Sequence, residues 1–145
     1  KGEDYILYKV KEMIESAQKE IYINTNIELE IFKDEIEQAL DRRVRVVLFS
    51  FEKHEIPDNR VEMYSKTENP ISDANKRLML VTDLKEVLVG STNNWEFTGI
   101  YTKNSLMVNI VAEHIHNDIY LKKLEIMFGN DFWKDISIGT LNEVK

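Results

Sequence analysis

Apolar positions in residues 4 to 18, DYILYKVKEMIESAQ, recur at Ile6, Val10, Met13, Ile14 and Ala17. These fall on one face of a helix, with Asp4 as its N-cap. The texture then changes at KEIYIN, where Ile21 and Ile23 alternate with Tyr22 as in a short strand. Residues 28 to 41 return to helical spacing through Leu29, Phe32, Ile36 and Leu40. RVRVVLFSF follows, a run too short and too β-branched for a helix, and it reads as a buried strand. Helix, strand, helix, strand predicts an α/β layered domain that opens with a parallel pair.

From Glu52 to Ala74 the apolar positions thin out, and both prolines of the chain fall here. This stretch reads as a long connection with a short strand at VEMY. Strands follow at about 77 to 82 and 86 to 90, turned by DLK, and FTGIYT is a further strand. Residues 105 to 128 carry Met107, Val111, Ile115 and Ile119 at helical spacing and form the longest helix. Asn104 caps it, and Gly129 in GNDFWKDI closes it. The fold class is α/β, a mixed β-sheet flanked by helices with a long C-terminal helix.

The length, 145 residues, suits one domain with its own core. No apolar run approaches the roughly 20 residues that span a bilayer, and KGEDYILYKV does not resemble a signal peptide, so no membrane role is expected and the compartment is cytoplasmic. Cysteine is absent, which excludes disulfides and thiolate metal sites. A net charge of −7 repels phosphate backbones, so DNA contact is expected only through a part outside this chain. The chain opens on Lys rather than Met, which fits a piece of a longer protein.

Candidate chemistry concentrates in LVGSTNN. Gly90 permits a turn or a close approach, and Ser91, Thr92, Asn93 and Asn94 offer hydroxyl and amide donors at a strand end, where ligands of α/β sheets commonly sit. A plain turn is the commoner fate of such residues. Of the three histidines, His54 sits in the polar connection, where a solvated loop residue is expected. His114 and His116, two apart on a helix, face nearly opposite sides and cannot grip one ion. His114 and Asp118 share a face, but two ligands make a weak metal site; no metal or other cofactor is expected. Glu12, Glu15 and Glu20 beside Lys9, Lys11 and Lys19 read as a solvated, paired face. Trp95 and Trp133 are expected to pack rather than stack on a sugar.

The strand ending in Asp83, the hairpin and GSTN together resemble the C-terminal part of the phospholipase D signature. In that family a His-x-Lys pair, four residues, an Asp and a downstream Gly-Ser-x-Asn form each half of the active site. Counted back from Asp83, the Lys falls on Leu78 and the His on Lys76. Leu78 supplies no charge, and Lys76 is protonated at neutral pH and a poor nucleophile. Sliding the register puts Lys76 in the Lys role, but Ala74 then stands where the His belongs. The resemblance implies a phospholipase D-like half-domain without the catalytic pair, and hence no enzyme of that type.

A broader resemblance runs from about residue 2 to 128. GEDYILYKVKEMIESAQKEIYIN, IFKDEIEQALDRRVRVVLFSF, LMLVTDLKEVLVGS and GIYTKNSLMVNIVAEHIHNDIYLKKLE are similar to the regulatory domain of TrmB-type transcriptional regulators. Those proteins carry an N-terminal winged-helix DNA-binding domain and an inactive phospholipase D-like domain. Relatives often have Arg-Gly-Val before the second strand where this chain has Arg42, Arg43 and Val44. The helix stop must therefore use something other than Gly. The β-rich sugar-binding domain of some archaeal members does not follow the long helix, so sugar recognition is not carried over.

The resemblance implies that residues 1–145 are a single effector-sensing and dimerisation domain, with DNA bound through the absent winged helix. A homodimer is the expected partner, since winged-helix readers act on two half-sites. The effector is expected to be a sugar, a sugar phosphate or another anion, held by Lys76, Ser91 and Asn93 with Asp83 orienting the donors. The alternative is a phosphodiesterase or nuclease with an atypical active site.

Overall fold

The computed structural model of the protein describes residues 2–51, 58–66, 76–93, 96–129 and 131, without the side chains of 2–4 and 93. Helix α1 (Gly2–Ser16) leads into strand β1 (Glu20–Thr25). A short 3₁₀ turn (Leu29–Phe32) and helix α2 (Lys33–Asp41) then precede β2 (Arg45–Ser50). After β3 (Glu62–Ser65) come β4 (Arg77–Thr82), β5 (Glu86–Asn93), β6 (Glu96–Thr102) and helix α3 (Ser105–Phe128). The six strands form one mixed sheet in the order β3-β2-β1-β4-β5-β6. β1 pairs parallel with β2 and β2 with β3, whereas β1–β4, β4–β5 and β5–β6 are antiparallel.

Both faces of the central strands are covered, which is why β1 and β2 read as nearly unbroken apolar runs. Helices α1 and α2 lie on one face. Ile6, Val10, Met13 and Ile14 of α1, with Ile36, Ala39 and Leu40 of α2, pack there against Ile21, Ile23, Val46, Leu48, Leu78, Leu80 and Leu88. Helix α3 covers the other face, setting Val108, Val111, Ala112, Ile115 and Ile119 on Tyr22, Val47, Phe49, Val81 and Val87. Met107, assigned to this stripe from spacing, is instead 42% exposed; Val108 occupies the inward position. Helix α1 begins at Gly2, so Asp4 lies in its first turn and does not precede it as a cap.

Local stops explain the connections. Just past the Arg42 cap of helix α2 stands Arg43, a non-glycine residue at φ 68°. Its N–H donates to Leu40 O (2.9 Å) and the Val44 N–H to Ala39 O (3.0 Å), the paired bonds of a Schellman stop. Arg43 thus fills in a left-handed conformation the place that glycine ordinarily takes. The β4–β5 turn also runs through positive φ, at Asp83 (55°) and Leu84 (54°), and closes with the Lys85 N–H on Thr82 O. At the start of α3 the Asn104 side chain accepts from the Met107 N–H (3.1 Å), as a cap should. Gly129 ends that helix at φ 78°, its N–H on Glu125 O.

Candidate functional site

The C-terminal ends of the parallel strands are where α/β sheets usually bind ligands, because no crossover helix covers that edge. Here a cleft of about 80 Å³ opens between that edge and the second half of α3. Phe49 and Phe51, at and just beyond the end of β2, give it an apolar wall. Lys66, Arg77 and Lys122 bring cations to its lining, and Asp118 and Glu125 bring carboxylates. The formal balance of these five is one positive charge, and the volume suits a few waters or one small oxyanion.

Arg77 is the first residue of β4, and the alternation of the strand turns its side chain to the α3 face. It reaches over β1 to lay its guanidinium on the Phe51 ring, 4.4 Å from the centroid. Burial pulls its pKa below the ordinary arginine value, and the nearby Asp118 carboxylate opposes that shift. Among the described residues its buried Nε has no hydrogen-bond partner. The same holds for the Oδ1 of Asn24, a fully buried residue near the end of β1 whose Nδ2 donates to Asp118 Oδ2 (2.7 Å). On the outer side His114 Nε2 stands 3.4 Å from the same Asp118 oxygen, and Lys122 Nζ lies 3.5 Å from Glu125 Oε1. Buried polar atoms without partners are rare, and the two in this polar cluster single it out as the candidate site.

The four residues singled out from the sequence do not come together. Asp83 lies at the opposite end of β4, six residues from Arg77 and therefore roughly 20 Å away. Its carboxylate accepts from the backbone N–H groups of Gln18 (2.9 Å), Lys19 (2.7 Å) and Glu20 (3.0 Å). Burial works to raise its pKa, but these three donors outweigh burial and hold it below the usual carboxylate value. Asp83 thus ties the α1–β1 connection to the hairpin, far from the cleft and from the other residues expected to donate to a ligand.

Lys76 and Ser91 are divided by the sheet itself. Ser91 stands directly opposite Arg77, which puts both side chains on the α3 face. Lys76, one residue earlier, belongs by alternation to the α1 face with Leu78. Its N–H donates to Thr92 Oγ1 (2.9 Å). Asn93 is the last residue of β5, and its side chain lies outside the described ones. GSTN is not a turn, since β5 continues to Asn93 and pairs with β6 as far as Glu96. Gly90 has a packing role: a Cβ there would stand 2.5 Å from the Phe97 ring, so the glycine admits that ring to the core. His54, Asn94, Trp95 and Trp133 lie outside the described residues.

The residues missed in the sequence were Asn24, Arg77 and Glu125, while Asp118 was considered only as a weak metal ligand beside His114. One signal was available: Asn24 interrupts a strand buried on both sides, and buried polar residues are the informative exceptions in a core. Arg77 gave no signal, because a basic residue at a strand start looks solvated.

Residues 1–123 match the family model described as transcriptional regulator TrmB, EBD N-terminal subdomain. Among solved structures the chain is similar to TrmBL2, an archaeal chromatin protein with a novel mode of DNA binding. The TM-score is 0.61 at 23% identity, over 83% of this chain and 50% of that one. The chain therefore spans half the length of TrmBL2. It is also similar to NucT from Helicobacter pylori, with TM-score 0.58 and 12% identity over 79% of this chain and 87% of that one. Nuc from Salmonella typhimurium, a phospholipase D family member, gives TM-score 0.59 and 14% identity over 76% of this chain and 84% of that one. At such identities these structures share the fold, which is phospholipase D-like. A comparison with curated proteins returned no match. With the family model covering most of its length, the chain belongs to the TrmB family of transcriptional regulators, as the N-terminal subdomain of the EBD.

Proposed function

We propose that this chain is the effector-sensing and dimerisation domain of a TrmB-like transcription regulator, on a phospholipase D-like fold that has lost phosphodiester chemistry. The observation that carries the proposal is Arg77, a half-buried cation in a cleft at the ligand-binding edge of the sheet, with its Nε unpartnered. A guanidinium held by an aromatic face presents a planar fork suited to a carboxylate or phosphate. The effector is therefore a small anion, a sugar phosphate included, and Ser91 on the same face is an accessory donor. Ligand binding would shift the relation of two protomers and, through it, DNA-binding heads outside this chain. Such a regulator works in the cytoplasm, on DNA that the acidic domain itself does not touch.

The loss of chemistry is supported by Leu78. At the place of the motif Lys this side chain is 1% exposed and packed in the α1-face core, so a charge there could not serve a reacting phosphate. The competing enzyme reading predicts turnover of bis(p-nitrophenyl) phosphate that disappears in Ser91→Ala or Lys76→Ala. Thermal denaturation with inorganic phosphate, sugar phosphates and neutral sugars tests the sensor. At one hundred times its dissociation constant an effector adds about 2.7 kcal/mol, a rise of a few degrees in Tm. The rise should occur with anions and vanish in Arg77→Met. A rise indifferent to that change would move the site elsewhere, and no rise with any compound would sink the sensor.

A further inference from the structure

Helix α3 carries two stripes. The inward one, Val108, Val111, Ala112, Ile115 and Ile119, packs on the sheet. On the opposite side Leu106, Ile110, Glu113, Asn117, Tyr120, Leu124 and Met127 are all exposed. They follow one another in alternating steps of four and three residues, the spacing of a coiled-coil seam. Its apolar members are far from marginal: Leu106 is 64% exposed, Ile110 48%, Tyr120 55% and Met127 68%. A helix apolar on both sides ordinarily has a partner on both. This stripe has none among the described residues.

The order of residues in the stripe says what the partner is. Two polar positions, Glu113 and Asn117, are flanked by apolar ones on each side, so the pattern reads nearly the same in both directions. We infer that α3 pairs antiparallel with α3 of a second copy of this chain, about a two-fold axis that crosses the outer face of the helix between Glu113 and Asn117. In that register Leu106 of one copy meets Leu124 of the other, Ile110 meets Tyr120, and the Glu113 carboxylate accepts from the Asn117 amide. Each of these contacts occurs twice, as a two-fold interface requires, and each matches apolar with apolar or polar with polar, Met127 lying beyond the paired span. A parallel pairing would stack Glu113 on Glu113, which like-charge repulsion disfavours. The inference deepens the dimerisation half of the proposed function and rests on it; the surface, orientation and register come from α3.

The test uses the absence of cysteine from the chain. Leu106 and Leu124 are about 27 Å apart along one helix, too far for a disulfide within a chain. The double variant Leu106→Cys/Leu124→Cys should cross-link to a covalent dimer under mild oxidation, while each single variant stays uncross-linked. Sedimentation should show the unmodified chain as a dimer, and Ile110→Glu should weaken that dimer at least ~100-fold, since the two-fold axis buries the new charge twice. Circular dichroism of Ile110→Glu checks folding, and position 110 is already exposed in the monomer. A dimer that resists Ile110→Glu, or that cross-links through Leu124→Cys alone, overturns this interface and leaves dimerisation standing. A monomer at all concentrations overturns both.

Discussion

Strands β1 and β4 lie side by side, and their two ends are built on opposite principles. At the end where β1 begins, no buried side-chain polar atom among the described residues lacks a partner. Asp83 takes three backbone N–H groups, and Arg42 Nη2 donates to the carbonyls of Ile14 and Ala17 at 3.0 Å each. The Tyr22 hydroxyl is bonded to Glu20, and burial with that bond pushes its pKa up to about 12. At the far end of the same strands Asn24 Oδ1 and Arg77 Nε are buried without partners beside a cleft. A joint that serves the fold satisfies its own hydrogen bonds, whereas a site leaves some for a ligand. The acidic residue of the phospholipase D-like motif belongs to the first kind, and the function proposed above puts the unremarked arginine in the second.

The largest expected effect comes from placing the lysine of the phospholipase D motif at the far end. Leu78→Lys places an ammonium in a packed core and should cost about 4 kcal/mol or more, or prevent folding. Urea titration measures it; a loss under 1 kcal/mol would mean that the side chain escapes to the cleft and that the core assignment of position 78 is wrong. Next, Asp83→Ala should cost about 2 kcal/mol at pH 7, because three N–H groups lose a charged acceptor. The folded pKa of Asp83 is lowered, so its contribution is fully present above the unfolded carboxylate value of about 4. It fades as pH falls through the lower folded value. The gap between the parent chain and Asp83→Ala should therefore narrow below about pH 4; a gap independent of pH would assign the loss to the turn conformation instead.

Smaller effects sharpen the picture of the satisfied end. Arg43 and Leu84 hold positive φ that suits glycine. Arg43→Gly and Leu84→Gly should each add about 0.5–1 kcal/mol, the relief of left-handed strain exceeding the added freedom of the unfolded chain. A destabilisation in Leu84→Gly would show that the half-exposed leucine contributes packing. Smallest of all is Arg77→Met, expected within about 0.5 kcal/mol, because an apolar side chain of similar length replaces a cation that is poorly satisfied. Near-neutral stability together with loss of the anion-induced Tm rise would separate site from scaffold in one variant. A large destabilisation would instead place Arg77 with Asp83, as a structural tie.

Much of the fold was legible because its signals are local. The inward residues of α1 and α2, the DLK turn, the Asn104 cap and the 105–128 helix all follow from spacing and capping chemistry within a few residues. Met107 failed as a core residue because a strict four-residue step drifts around a 3.6-residue helix, and counting back from Ile119 by fours carries position 107 off the face that Val108 holds. The site was less legible. Lys76, Asp83, Ser91 and Asn93 were grouped by a linear motif, but strand alternation sends Lys76 and Ser91 to opposite faces, and strand length carries Asp83 to the other end. Asp118 and Glu125 reach the cleft from α3, a helix far along the chain, and no local pattern records that meeting.

The sequence by itself determined the class of this protein: an α/β domain in a mixed sheet, of TrmB type, with leucine where phospholipase D-like chemistry needs a lysine. Those properties reside in the order of side chains and survive without coordinates, because periodicity, caps and motif positions are one-dimensional. Tertiary structure alone decided which polar groups are satisfied. Asp83 became a tie, and Arg77 an unfilled cation, only when strands paired in one register and α3 crossed their ends. Hydrogen-bond satisfaction is a property of three-dimensional neighbours, and the sequence names the donors without saying who receives them.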